Sequence, residues 1–210
     1  MTATAIPTSP TRGTVLADHL VRTRSVAANI ALIAAGAALV AVLAQVEIPM
    51  FPVPITGQTL GVMLVGATLG AWRGAAAMAT YMVAGLAGLP VFAGFSGTAA
   101  AVLEPSFGFI IGFIFTAALV GWLAERNWDR RPFLSLLAFF SASLVPFIFG
   151  VPYMWVVLEG LGVDMNFALA MEYGVTPFII GGIIKWLLAA TLLPLAWKLV
   201  RTVERNAHDR

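Results

Sequence analysis

The sequence predicts an all-α integral membrane protein of six transmembrane helices with both termini cytoplasmic, and three observations carry that prediction. The chain is 60% hydrophobic and only 10% charged, with a mean hydropathy of +0.93. Soluble domains carry about 25% charged residues, so little remains for an extramembrane domain. Six apolar runs are separated by short polar or glycine- and proline-rich segments. Placing alternate loops in the cytoplasm puts Arg12, Arg22, Arg24, Arg73, Arg126, Arg130, Arg131, Lys198, Arg201, Arg205 and Arg210 inside, eleven of the twelve basic residues. The positive-inside rule is thereby obeyed, whereas five or seven spans scatter the same charges over both faces.

Composition also removes whole chemistries. There is no cysteine, hence no disulfide framework, thiolate metal site or thiol nucleophile. The two histidines, His19 and His208, fall in the polar ends, so no intramembrane imidazole serves as metal ligand or base. The pI of about 9.4 follows from loop charge; no basic patch is interleaved with aromatics, which argues against a nucleic-acid partner.

Residues 1–24 read as a polar cytoplasmic tail, 25–200 as the membrane domain and 201–210 as a basic cytoplasmic tail. The first apolar run, 26–46, exceeds the 7–15 residues of a signal-peptide core and reads as a true span. Ala27, Ala31 and Ala35 share one face of it at four-residue spacing, the pattern that lets a second helix approach closely. In residues 46–59, Pro49, Pro52 and Pro54 forbid a regular helix and impose extended backbone, which near a membrane is tolerated against protein or a cavity.

The second span, 59–72, follows Gln58 and carries Gly61, Gly66 and Gly70, with Arg73 marking an inner turn. The third, 75–89, contains Tyr81 and runs into a long Gly-rich loop that holds Ser96 and Glu104, suited to a lid or a binding wall. The fourth spans 107–124. The fifth, 133–158, is interrupted by Pro146 and Pro152, which should kink it or mark its outer end. Residues 159–172 form an acidic outer loop.

The last span, within 173–197, contains a single charge, Lys185. A helix starting at Pro177 carries that ammonium roughly 12 Å into a hydrocarbon core of roughly 30 Å, at a cost of about 2.5–3.5 kcal/mol. A cation retained at that depth faces a polar cavity and has a function by default. Snorkelling is a weak alternative, because Lys198 and Arg201 already mark the inner end of the helix.

The segments PVPITGQTLG, GLPVFAGFSG, EPSFGFIIGF and PFIIGGIIKW occur in this order. Together they resemble the BioY family, the biotin-binding S components of energy-coupling-factor (ECF) transporters. The resemblance implies a six-helix S-component bundle in the cytoplasmic membrane, with biotin bound near the outer face. It also implies a transmembrane coupling subunit and two ATPase subunits as partners, with lipid around them. The face made by Ala27, Ala31 and Ala35 is similar to the surface by which S components dock on the coupling subunit. The chain has no phosphate-binding GxxxxGK[ST] loop, so ATP would be used by the partners alone, and no cofactor is expected here.

The sequence departs from the family at three places. The usual Gly-Asp-x-x-Lys of the last helix is Gly181-Gly182-Ile183-Ile184-Lys185, and Ser96 stands where many relatives carry a basic residue. Glu104-Pro105-Ser106-Phe107-Gly108-Phe109 likewise replaces Gly-Pro-Thr/Ser-Gly-Gly-Tyr. Biotin presents a ureido ring, an apolar bicycle and a carboxylate tail, and needs acceptors, donors and an apolar wall. Lys185 can serve the ureido oxygen or the carboxylate. Gln58, Tyr81, Glu104 and Ser96 are candidates for the other polar roles, with a helix start, core packing and a solvated loop as the plainer readings of the first three. The loss of the aspartate leaves a biotin relative such as dethiobiotin, or another small vitamin, as the alternative ligand. An intramembrane enzyme is disfavoured, since no span carries a nucleophile–base pair or metal-ligand cluster.

Overall fold

Helices dominate because runs of Leu, Ile, Val, Phe and Ala at this density have no water to bond their backbone groups and must satisfy them internally. A computed structural model describes residues 15–21 and 25–208. Along it run α1 (Leu16–Leu20), α2 (Val26–Ala44), β1 (Glu47–Ile48), β2 (Ile55–Thr56), α3 (Gln58–Leu69), α4 (Ala71–Leu86), α5 (Phe107–Ala124), α6 (Pro132–Gly160), α7 (Phe167–Gly174) and α8 (Phe178–His208). Four of these helices, Val26–Ala44, Phe107–Ala124, Pro132–Gly160 and Phe178–Lys198 within α8, are long and apolar enough to cross a membrane.

α5 is the hub of the bundle: 67% of it is buried, against 11% of α2 and 17% of the apolar part of α8. Ile179, Ile180, Ile183 and Ile184 of α8 and Leu144 and Ile148 of α6 turn outward. An apolar exterior of this kind is what lipid requires and water penalises.

α3 and α4 form an antiparallel hairpin joined by Gly70 alone. Its φ of 86° lies in the left-handed region, which a side chain would strain. The sequence places this turn at Arg73, three residues late; Trp72 and Arg73 belong to α4. The short turn is held by side chains that satisfy the helix ends. Glu125 Oε1 accepts from the Ala71 amide at 2.9 Å, and Arg73 Nε donates to the Leu69 carbonyl at 2.9 Å. Small residues allow the close approaches that follow. A Cβ on Gly66 would lie 2.7 Å from the Ala117 carbonyl oxygen, and one on Gly121 would lie 2.3 Å from the Ala71 nitrogen.

Three other expectations differ from the structure. The 46–59 segment is irregular around its prolines but closes into a two-strand ladder, with Glu47 opposite Thr56 and Ile48 opposite Ile55. α6 continues unbroken through Pro146 and Pro152, since each proline removes one backbone bond while packing keeps the rod together; the Pro146 backbone lies against Gly112 of α5. The acidic outer loop contains α7, capped where Asn166 Oδ1 accepts from the Leu169 amide at 2.9 Å.

The amino-terminal segment is more than a solvated tail where it is described. Val15, Leu16 and Ala17 are buried, and Asp18 pairs with Arg73 at 2.6 Å. The His19 ring sits edge-on to Trp197 at 5.1 Å. Arg12, Arg22, Arg24 and Arg210, used above to orient the chain, lie outside the described residues, as do the side chains of Arg201 and Arg205. At the other end, α8 runs helically past residue 200 to His208.

Candidate functional site

At the end of the bundle opposite the Gly70 turn, a cavity of about 400 Å³ opens between the β1–β2 hairpin, the loop after α4, and α3, α5, α6 and α8. That size suits a small organic ligand. One wall is aromatic: Phe109 of α5, Phe147 of α6 and Phe178 of α8 meet with centroids 5.9–6.0 Å apart. Val53, Met63, Ile110 and Phe113 extend the apolar surface. The three rings come from positions far apart in sequence, and no short-range pattern announces them.

Lys185 lies two turns into α8 and lines this cavity. Its Nζ donates to the Thr56 carbonyl at the end of β2. The β1–β2 hairpin thus supplies a backbone carbonyl where the ammonium needs an acceptor. Gly182, one turn above Lys185, also lines the cavity, and a Cβ built there meets nothing within 4 Å.

Gln58 lines the cavity at the first turn of α3 and is buried. Its Oε1 accepts from the Thr56 hydroxyl at 2.6 Å, and its Nε2 donates to the Tyr81 hydroxyl at 2.6 Å. Tyr81 itself does not line the cavity; it is 1% exposed and packs edge-on against Phe92 at 5.4 Å. Its direct partner is Gln58, so it stands behind the wall and holds the Gln58 amide in place. Replacing it with phenylalanine leaves one Gln58 amide hydrogen without its buried acceptor, costing about 1–3 kcal/mol. Tyr81→Phe is therefore expected to lower the unfolding temperature and weaken ligand binding several-fold, both measurable on purified protein.

The loop after α4 forms a wall of the cavity, through Phe92, Ala93, Gly94 and Ser96 and then Ala101, Glu104, Pro105 and Ser106. It is pinned from outside the sequence neighbourhood. Gln45, at the end of α2, donates to the carbonyls of Ala41 (2.9 Å) and Phe92 (3.0 Å) and accepts from the Phe95 amide at 2.9 Å. The Tyr153 hydroxyl of α6 donates to the Val102 carbonyl. Gly85 makes room for the Phe92 ring, which would stand 2.1 Å from a Cβ there.

Lys185, Gln58, Glu104 and Ser96 therefore converge on one cavity, with Tyr81 directly behind it. Sequence reasoning misses Glu47, Thr56 and the three phenylalanines as lining residues. Glu47 had a signal, a lone carboxylate between an apolar span and a proline cluster. Among the described residues no group of His, Cys, Asp and Glu could hold a metal ion.

The model of the BioY family matches residues 14–202, which include every residue lining the cavity. This chain belongs to the BioY family. Similar proteins include the biotin transporter BioY of Rhizobium etli, 37% identical over 169 residues, 77% of this chain and 87% of that one. The biotin transporter BioY of Thermotoga maritima is 38% identical over 161 residues, 74% of this chain and 87% of its own. In three dimensions this BioY-family chain resembles the crystal structure, at 2.1 Å, of the S-component for biotin from an ECF-type ABC transporter. The TM-score is 0.62 and the identity 26%, covering 81% of this chain and 90% of the other. BioY membership makes it a transporter component, not an enzyme, and its apolar helices make it a multi-pass membrane protein.

Proposed function

We propose that this chain takes up biotin as the substrate-binding S component of an ECF-type transporter. The observation that carries the reading is the cavity itself, with an ammonium on one wall and an aromatic cluster on another, in a chain of the BioY family. The bicycle of biotin packs on Phe109, Phe147 and Phe178, and Lys185 donates to an oxygen of the ligand. Gln58, oriented by Thr56 and Tyr81, together with Ser96 and Glu104, supplies the remaining polar contacts.

In this reading the protein sits in the cytoplasmic membrane as six spans with both termini inside. Arg73 and Arg130 stand at the end of the bundle away from the cavity, with Asp18, Glu125 and Trp197, which supports that orientation. α3, about 18 Å long, falls short of a bilayer core of about 30 Å, and residues 46–57 complete its crossing. Ala27, Ala31 and Ala35 lie exposed on α2, which leaves that face open for a coupling subunit. ATP hydrolysis belongs to partner subunits, and this chain needs no cofactor of its own.

The test is calorimetric titration of the detergent-purified chain with biotin. One-to-one binding in the submicromolar range is the expected result. Absence of heat, together with absence of retained biotin on gel filtration, would remove biotin as the ligand.

A further inference from the structure

The part of the cavity wall built from α5, α6 and α8 is apolar but for two side chains. Among the described lining residues of these three helices, Ser143 of α6 and Lys185 of α8 alone are polar. Two ring contacts fix the antiparallel register of α6 on α8. Phe140 meets Trp186 with centroids 5.3 Å apart, and two turns further along α6 Phe147 meets Phe178 at 6.0 Å. Ser143 lies just beyond Phe140 and Lys185 just before Trp186, so the two differ in height by about 3 Å of helix rise. They reach the cavity at nearly one depth.

Their chemistry is opposite. The Ser143 hydroxyl donates to the Phe140 carbonyl at 2.7 Å. A carbonyl only accepts, so the hydroxyl proton is engaged there and the oxygen presents lone pairs alone. Lys185, with one hydrogen on the Thr56 carbonyl, keeps two more to donate. A carboxylate or a thioether sulfur, which only accept, can use Lys185 but gain nothing from Ser143 while its proton stays on Phe140. The edge of a urea carries an accepting oxygen beside a donating N–H, and it uses both groups at once.

We propose that Ser143 accepts a ureido N–H of biotin, beside Lys185 at the ureido oxygen, and so fixes which end of the ligand lies against α6 and α8. The proposal rests on the biotin reading above and adds a residue and a ligand direction to it. Its test is titration of the full chain in detergent with biotin, biotin methyl ester and dethiobiotin, for the parent, Ser143→Ala and Ser143→Cys. All three ligands keep the ureido group, whereas the ester lacks the free carboxylate and dethiobiotin lacks the sulfur. Each variant is expected to bind all three more weakly by one common factor, about three- to tenfold, the range of a single hydrogen bond. The unfolding temperature of the ligand-free protein is expected to stay at the parental value. Cysteine nearly keeps the shape of serine and its sulfur is a weak acceptor, so a loss shared by both variants comes from the missing acceptor. Should the alanine variant fail to fold, the cysteine variant carries the test. Unchanged biotin affinity in the variants, a loss absent for the ester or for dethiobiotin, or a loss accompanied by a lower unfolding temperature overturns the role of Ser143 and leaves the biotin reading standing. A parent protein that binds none of the three ligands overturns both.

Discussion

Replacing Lys185 with alanine is expected to lower biotin affinity by at least about tenfold while leaving the unfolding temperature unchanged or raised. A hydrogen bond to a charged donor contributes about 1.5–3 kcal/mol, which corresponds to roughly 10- to 150-fold in affinity. The stability half of the expectation follows from what holds the ammonium now. Among the described residues its one polar partner is the Thr56 carbonyl, and no carboxylate there forms an ion pair with it. Removing a desolvated cation with so little compensation costs the fold nothing and relieves a burial penalty. The two readouts therefore separate a ligand-binding lysine from a structural one. A structural lysine would show the opposite pattern, lower stability with binding following it down. Unchanged affinity in Lys185→Ala would remove this residue from the site. Arginine is not expected to rescue, because its planar fork has a different reach and donor geometry from a compact ammonium.

The second large effect is expected far from any ligand. Gly66→Val should lower the unfolding temperature sharply and abolish retained biotin in the extracted protein. The added Cβ would stand 2.7 Å from the carbonyl oxygen and 2.9 Å from the Cα of Ala117, both backbone atoms. Neither can turn aside, so α3 and α5 must separate. Overpacking of this kind costs about 1–3 kcal/mol, and more where backbone blocks relaxation. Binding falls with it because α3 carries Gln58, Thr59 and Met63 into the cavity and α5 carries Phe109 and Phe113. Gly160→Ala is the control: a Cβ there meets nothing within 4 Å, and both readouts should stay at parental values. A Gly66→Val protein that melts with the parent would refute the close packing of α3 on α5.

Much of the bundle was legible because membrane solvation makes local composition decisive. An apolar run of about 20 residues has few options, so the helices around 26–44, 107–124 and 178–198 could be placed from sequence to within a few residues. Boundaries failed where tertiary packing sets them. Nothing local shows that Gly70 alone turns α3 into α4; that depends on Glu125, fifty-four residues away, reaching the Ala71 amide. Pro152 looked like a helix end because an isolated helix would break there, and α6 is not isolated. The amino-terminal segment read as solvated because its polar residues are plain in sequence. The pocket that takes Val15, beside Gly70 and in one apolar cluster with Ala67 and Val120, exists once α3 and α5 are packed.

The candidate site divides along the same line. Lys185 announced itself, since a charge deep in an apolar helix is expensive wherever it points. Gln58, Ser96 and Glu104 could be named from the motif that carries the family resemblance, but whether four segments met at one cavity could not. Tyr81 could not be separated from a lining residue until its hydroxyl was found on Gln58 rather than in the cavity.

Membrane residence, helical class and the presence of one isolated ammonium deep in the last span were thus legible from composition and from the energy of burying charge, which are properties of single segments. The cavity, its aromatic wall from α5, α6 and α8, and the meeting of Lys185 with the Thr56 carbonyl are properties of contact between segments. Sequence separation carries no information about such contacts, because packing and the β1–β2 ladder, not chain order, bring Thr56 beneath Lys185 and Glu47 beside Gly94.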